Sequence, residues 1–186
     1  AANVRAILAA ERRTGRTVHV TFNVRYSAPA EAIKSLLLQG VIGELVSVDF
    51  TEYLDTDHGA DYFRRWHRQQ RNSGGLLIHK GSHHFDQLNW WIDAAPKTVY
   101  ALGDRRFYGP ARQERGERCL TCAHTQTCPF YLDLRASADL TAMYLEAEGD
   151  DGYCRDRCVF GDDVDIQDTM VVSIRYTNGV LVNYTL

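Results

Sequence analysis

The sequence predicts an α+β fold, a mostly antiparallel open sheet with helices on one face. Three observations carry this. Residues 168–177 and 180–186 alternate apolar and polar side chains, as half-buried strands do. Asn178-Gly179 lies between them, and a type I′ hairpin turn favours that pair because both central residues need positive φ. Phe85, Leu88, Trp91 and Ile92 recur at three- and four-residue spacing, the buried stripe of a helix over 82–92. Long strands following a helix, with few helices between them, fit a sheet built by hairpins.

The remaining elements follow in chain order. Residues 1–14 read as a helix with Val4, Ile7 and Leu8 on one face, and Gly15 is placed to stop it. Thr17–Phe22 alternates and reads as a strand. A second helix starts near Pro29, carries Ile33, Leu36 and Leu37 on its apolar face, and ends at Gly40. Residues 44–53 read as a strand, 54–60 as a polar loop, and 97–103 as another strand. Gly109-Pro110 opens a polar, cysteine-bearing stretch reaching about residue 163. No internal repeat or low-complexity segment occurs.

Composition bounds the function. A chain of 186 residues can build one sizeable core, and 45% hydrophobic with 24% charged residues is ordinary for a globular domain. A formal net charge of −3 argues against a nucleic-acid or anionic-membrane partner. No apolar run approaches about 20 residues, so no transmembrane helix is expected. Residues 1–16 are amphipathic and lack the apolar stretch of a signal peptide. Five cysteines, an odd number, fit a reducing, cytoplasmic setting better than a full disulfide framework.

The chemistry concentrates in residues 74–86, Gly-Gly-Leu-Leu-Ile-His-Lys-Gly-Ser-His-His-Phe-Asp. Three of the seven histidines fall within six residues, beside Lys80 and Asp86. His79 and His83 are four apart and share a face if the segment is helical. A zinc-protease pair would need His-Glu-x-x-His, and Lys80 occupies the glutamate's place. Proton transfer suits these residues better, because imidazole titrates near neutrality. Surface histidines on an amphipathic helix are the bland alternative.

This stretch resembles the catalytic motif of the glucose–fructose oxidoreductase/inositol dehydrogenase/MocA family of NAD(P)-dependent dehydrogenases. That motif has a double glycine, a short apolar run and Asp-x-x-x-His, with an aspartate three positions on. By this resemblance His83 takes the place of the catalytic histidine and Asp86 that of the following aspartate. His79 stands where the family has its catalytic aspartate, so His79 or Lys80 is expected to polarise the substrate oxygen. Asn23 and Arg25 match an Asn/Gln-x-Arg segment of the family, which puts Arg25 beside the cofactor. Val41-Ile42-Gly43-Glu44 matches the family's lead into its first long strand. The aromatic and basic run 61–68 falls where the family has a pocket wall, so Arg64 and Trp66, with His84, are implied to face substrate. A packing role for Phe63 and Trp66 is the plainer reading. Single-strand nucleic-acid binding by this run is a poor third in an acidic chain.

The cysteines are spaced Cys119-x2-Cys122-x5-Cys128, with Cys154 and Cys158 further on. Thiolates so placed can grip one tetrahedral zinc ion, and Cys119, Cys122, Cys128 and Cys158 are the expected ligands of a closed structural site. His124 is an alternative fourth ligand, an iron–sulfur cluster would use the same residues, and free thiols or a disulfide are the remaining reading. Some members of the family carry a similar cysteine insertion.

No Gly-x-Gly-x-x-Gly turn occurs, and the family's Glu-Lys-Pro motif is absent. The expectation is therefore residues 1–16 as the tail helix of a missing nucleotide-binding domain. Residues 17–186 form the substrate-binding and oligomerisation domain, with a Cys-rich insertion over 109–163. The resemblance implies NAD or NADP bound mainly by the missing domain, a sugar or cyclitol substrate and a homo-oligomer, dimer or tetramer. This chain alone would be inactive. A non-catalytic scaffold or binding module of the same fold is the alternative.

Overall fold

The computed structural model describes residues 2–186, and its organising element is the expected hairpin. Strands β3 (Thr169–Tyr176) and β4 (Leu181–Thr185) pair antiparallel, with Val172 opposite Tyr184 and Ile174 opposite Val182. Their alternation is realised residue by residue: Met170, Val172, Ile174 and Tyr176 are buried, and the residues between them are exposed. The turn differs from the expected type I′. Gly179 alone has positive φ, at 94°, and its N–H donates to the Tyr176 carbonyl. Tyr176 and Val180 then close a three-residue loop of Thr177, Asn178 and Gly179. This is a type I turn followed by a left-handed residue, so only the glycine needs the unusual backbone. Asn178 instead donates its side-chain amide to the Ile92 carbonyl, tying the hairpin to a helix end.

The chain before the hairpin supplies α1 (Ala2–Thr14), a 3₁₀ turn over Asn23–Tyr26, α2 (Ala28–Leu38), β1 (Ser47–Thr51), α3 (Thr56–Arg64), the short helices α4 (Gln70–Ser73) and α5 (Leu76–His79), α6 (Gly81–Ile92) and β2 (Pro96–Asp104). The sheet order is β1-β4-β3-β2. β1 lies parallel to β4, and the other two pairings are antiparallel. Two sequence expectations fail here. Residues 17–22 take no regular secondary structure and join no sheet. Their alternation has no neighbouring strand to satisfy its backbone groups, and pattern alone does not make a strand. Residues 56–64, expected as the end of a polar loop and an aromatic run, form a helix capped by Asp55, whose carboxylate accepts from the Asp57 and His58 N–H groups.

Helix α6 lies across the inner sheet face. Leu88 and Ile92 are buried against Val172, Ile174, Val182 and Tyr184, with Phe85 and Trp91 packed at the margin. Each fully buried apolar side chain contributes roughly 2 kcal/mol, against about 0–1 kcal/mol for an exposed ion pair. Packing therefore fixes α6, and its polar residues are positioned by that anchor. A second core joins Phe63, Leu76, Tyr108, Val159, Phe160, Val164 and Ile166. The stretch 109–163 thus lends its apolar residues to a shared core.

Candidate functional site: a histidine cluster at the start of α6

Residues Gly74 and Gly75 both take positive φ, 75° and 82°. A Cβ on Gly75 would lie 2.8 Å from the Gln70 side-chain oxygen, and one on Gly74 3.0 Å from Ile78. Only glycine fits both the backbone angle and the space. The turn delivers α5 and α6 in immediate succession, so His79 and His83 both emerge at the helix start, as the spacing predicts.

The structure adds a third imidazole to them. His67 is buried, and its ring lies 4.2 Å from that of His79, centroid to centroid, at 71°. The Trp66 ring lies 4.0 Å from that of His67, tilted by 31°, and meets His79 edge-on at 5.5 Å. Tyr62 closes the other side, 5.4 Å from His67 and 5.7 Å from His79. Phe22 meets His83 edge-on at 5.9 Å. The Nδ1 atoms of His67, His79 and His83 are buried and have no hydrogen-bond partner among the described residues. Burial pushes the His67 pKa down to about 4, with the neighbouring His79 and Arg65 adding to the effect. His79 is lowered for the same leading reason, burial, and then by His83 and Arg65. Both imidazoles are therefore neutral at pH 7, each with one nitrogen able to accept a proton. His67 was missed in the sequence because its partner His79 is 12 residues away. The available signal was a histidine inside an aromatic run.

The other expected site residues divide. Lys80 stands at the joint of α5 and α6, with Nζ 3.7 Å from the Glu52 carboxylate. Trp66 is the most exposed member of the wall, at 43%. Arg25 and Asp86 hold each other: Arg25 Nε donates to Asp86 Oδ2 at 2.8 Å, and a second guanidinium nitrogen donates to Oδ1. The hydrogen bond to Asp86 is the leading cause of a raised Arg25 pKa. That fork-to-fork pairing occupies the guanidinium expected to meet cofactor, and makes Asp86 an anchor between the Asn23–Tyr26 turn and α6. His84 is a correction. It is buried in the core, hydrogen-bonded through Nδ1 to the Tyr184 hydroxyl at 2.8 Å and packed 5.0 Å from Phe50. One residue on from His83, the helix has turned it toward the sheet. Arg64 is a second correction. It is 4% exposed and donates to Cys119 Sγ at 3.1 Å and to the carbonyls of Phe130 and Arg157, so its donors hold the insertion.

The expected zinc site finds no support in the structure. Cys119, Cys122, Cys128 and Cys158, with His124, do border one narrow cavity. Among the described residues, however, no group of three or more His, Cys, Asp or Glu side chains is placed to hold a metal ion. All five cysteines are free thiols. Burial raises the Cys119 pKa, which favours its neutral form. Arginines tie the long stretch together. Arg118 bridges Glu148 and the fully buried Asp156, Arg155 bridges Asp61 at 2.9 Å, Arg68 pairs with Asp163, and Arg112 lies 4.0 Å above the Phe160 ring.

The fold is an α+β domain with a four-stranded mixed sheet, and the comparisons give the family. Residues 34–186 match the model of the oxidoreductase family (Gfo/Idh/MocA) C-terminal alpha/beta domain, and the chain belongs to that family. It is 39% identical over 194 residues to a Bacillus subtilis (strain 168) protein named "Putative oxidoreductase YteT", covering 97% of this chain and 45% of that protein. The chain thus spans less than half the length of this curated relative. Its fold is similar to the WlbA dehydrogenase from Bordetella pertussis, solved in complex with NADH and UDP-GlcNAcA, at TM-score 0.57 and 16% identity over 98% of this chain and 40% of that one. The aldose-aldose oxidoreductase from Caulobacter crescentus is similar at TM-score 0.57 and 14% identity, over 99% and 39%. No helix among the described residues is long and apolar enough to cross a membrane.

Proposed function

We propose that this chain is the substrate and oligomerisation part of an NAD(P)-dependent oxidoreductase acting on a hydroxyl or carbonyl of a sugar or cyclitol. The observation that carries the reading is the cluster of His67, His79 and His83 around the start of α6, walled by Tyr62 and Trp66, in a chain of an oxidoreductase family. The nicotinamide, when bound, accepts or returns the hydride. The residues of this chain do not form a dinucleotide-binding turn: no glycine-rich Gly-x-Gly-x-x-Gly turn occurs, and Arg25 is held by Asp86. The reading therefore assigns the dinucleotide mainly to the rest of the protein.

In this reading His83 takes the hydroxyl proton as the carbinol becomes a carbonyl. His79, neutral through burial, holds the substrate oxygen by a hydrogen bond, and His67 fixes the His79 ring by packing against it. Trp66 offers a flat apolar surface for a sugar ring. Asp86 positions α6 through Arg25 and touches no substrate. The outer sheet face carries Tyr100, Leu102, Val171 and Leu181 exposed, an apolar patch suited to a second copy.

The test is a panel of sugars and cyclitols offered to the full-length protein with NAD or NADP, following the reduced cofactor by absorbance. Reduction with at least one of them is expected. Tight cofactor binding with no turnover on the whole panel would favour a non-catalytic scaffold.

A further inference from the structure

Beside the histidine cluster lies an open cleft of about 240 Å³ whose walls are dominated by arginine. Arg64, Arg65, Arg68, Arg71 and Arg157 border it, against one carboxylate, Asp163. Trp66 and Tyr153 supply its aromatic walls. Protein partners engage only part of this donor capacity. Arg64 is taken up by Cys119 and two carbonyls, Arg68 by Asp163 and the Cys158 carbonyl, and Arg157 by Glu117. Arg71 donates only to the neutral Gln69 side chain. Buried and without a partner among the described residues are Arg65 Nε, Arg68 Nε and the Tyr153 hydroxyl. Arg68 is 4% exposed, so its orphaned donor is not solvated from outside.

Unpaired donors on buried cations are costly, and like charges gathered in one cleft repel. An oxyanion in the cleft offsets the repulsion, because guanidinium and carboxylate or phosphate oxygens match as paired hydrogen bonds. The cleft and the histidine site share one residue. Trp66 borders the cleft and also lies 5.5 Å from His79. Arg65 is near enough to act electrostatically on both His67 and His79. A sugar ring laid on Trp66 would present one end to the histidines and the other to the arginines.

We infer that this cleft is a subsite for an oxyanion carried by the substrate, so that the protein acts on an acidic sugar, a carboxylated or phosphorylated one, rather than a neutral sugar. Arg65 and Arg71 hold the anion, and Trp66 stacks on the ring. This inference rests on the oxidoreductase reading for what happens at the histidines, but the binding it describes does not depend on hydride transfer.

The experiment is calorimetric titration of the full-length protein, without cofactor, with glucuronate, glucose 6-phosphate and glucose. At least one of the two anionic sugars is expected to bind about tenfold or more tighter than glucose, and the tighter one identifies the oxyanion. Arg71→Ala, at an exposed position, and Arg65→Lys, which keeps charge but loses the fork, should each remove most of that preference while leaving glucose unchanged. Equal binding of all three sugars would overturn the subsite, as would an anion preference untouched by both variants. An anion preference lost in both variants, in a protein that reduces no cofactor, would leave the subsite standing and overturn the dehydrogenase reading instead.

Discussion

Arg25 and Asp86, 61 residues apart, hold each other by two hydrogen bonds and so lock the Asn23–Tyr26 turn onto the first turns of α6. Arg25 also lies 5.4 Å over the Trp90 ring, which adds a cation–π contact on the same helix. Asp86 sits three residues after His83, so this pair sets how the helix start is held. Removing one partner leaves the other charge half-buried and unpaired. Asp86→Ala is expected to destabilise by about 2 kcal/mol and to lower kcat in the intact enzyme. Asp86→Asn, which keeps the shape, should cost less in both. Urea unfolding alongside steady-state kinetics checks this, and an Asp86→Ala variant as stable and active as the parent would contradict it.

The neutral histidines predict a pH response. The His67 folded pKa, about 4, lies below the ordinary imidazole value of 6.5. The unfolded chain therefore binds more protons between these values, and stability must fall as pH drops from about 6.5 toward 4. His67→Phe removes that titration. Its melting temperature should depend less on pH across the window than the parent's. Parallel curves for both proteins would show that His67 does not contribute.

The long stretch 109–163 is held by arginines and by apolar residues lent to the second core. Asp156 is 1% exposed and takes Arg118 and the Leu120 N–H. Asp156→Ala should therefore cost about 3 kcal/mol, because a buried cation loses a partner. Cys122, Cys128 and Cys154 are half-buried and should react with a thiol reagent in the native protein. Cys119 and Cys158 are buried and should react only on unfolding. Protection of Cys122 and Cys128 that a chelator abolishes would contradict this account of the insertion.

The exposed apolar residues of the sheet predict assembly. Leu102 and Val171 are directly paired across β2 and β3 and both are more than two-fifths exposed. In the full-length protein, Val171→Asp should weaken self-association by tenfold or more if this face is an interface, since a buried unpaired charge costs several kcal/mol. Light scattering across a concentration series checks it. A parent that is monomeric at micromolar concentration would remove the proposal.

Local signals made most of the fold legible. The alternation of Met170 to Tyr176 and the stripe of Leu88 and Ile92 each record one burial pattern within one element, and both emerge as read. Thr17–Phe22 alternates equally well but has no partner strand, and pairing is not encoded locally. The turn at Asn178-Gly179 was placed correctly and mistyped, because Asn178 is used for a bond to Ile92 that no dipeptide preference contains. At the site, the spacing of His79 and His83 placed both at one helix start. The identities of their neighbours depended on tertiary contact: His67 joins them, His84 turns into the core, and Arg25 finds Asp86. Cysteine spacing pointed to a metal, while the arginine ties that hold the insertion span up to 95 residues and left no short motif to read.

The central claim is that His83 moves the substrate proton in an NAD(P)-dependent reaction. The most direct measurement is the steady-state rate of the full-length enzyme carrying His83→Ala or His83→Gln, on the best substrate of the panel. A fall in kcat of roughly 10²–10⁴ is expected, the usual range for a lost general base, with nicotinamide binding unchanged. His79→Ala should cost less, since it orients and does not take the proton. An unchanged kcat in both His83 variants would contradict the account.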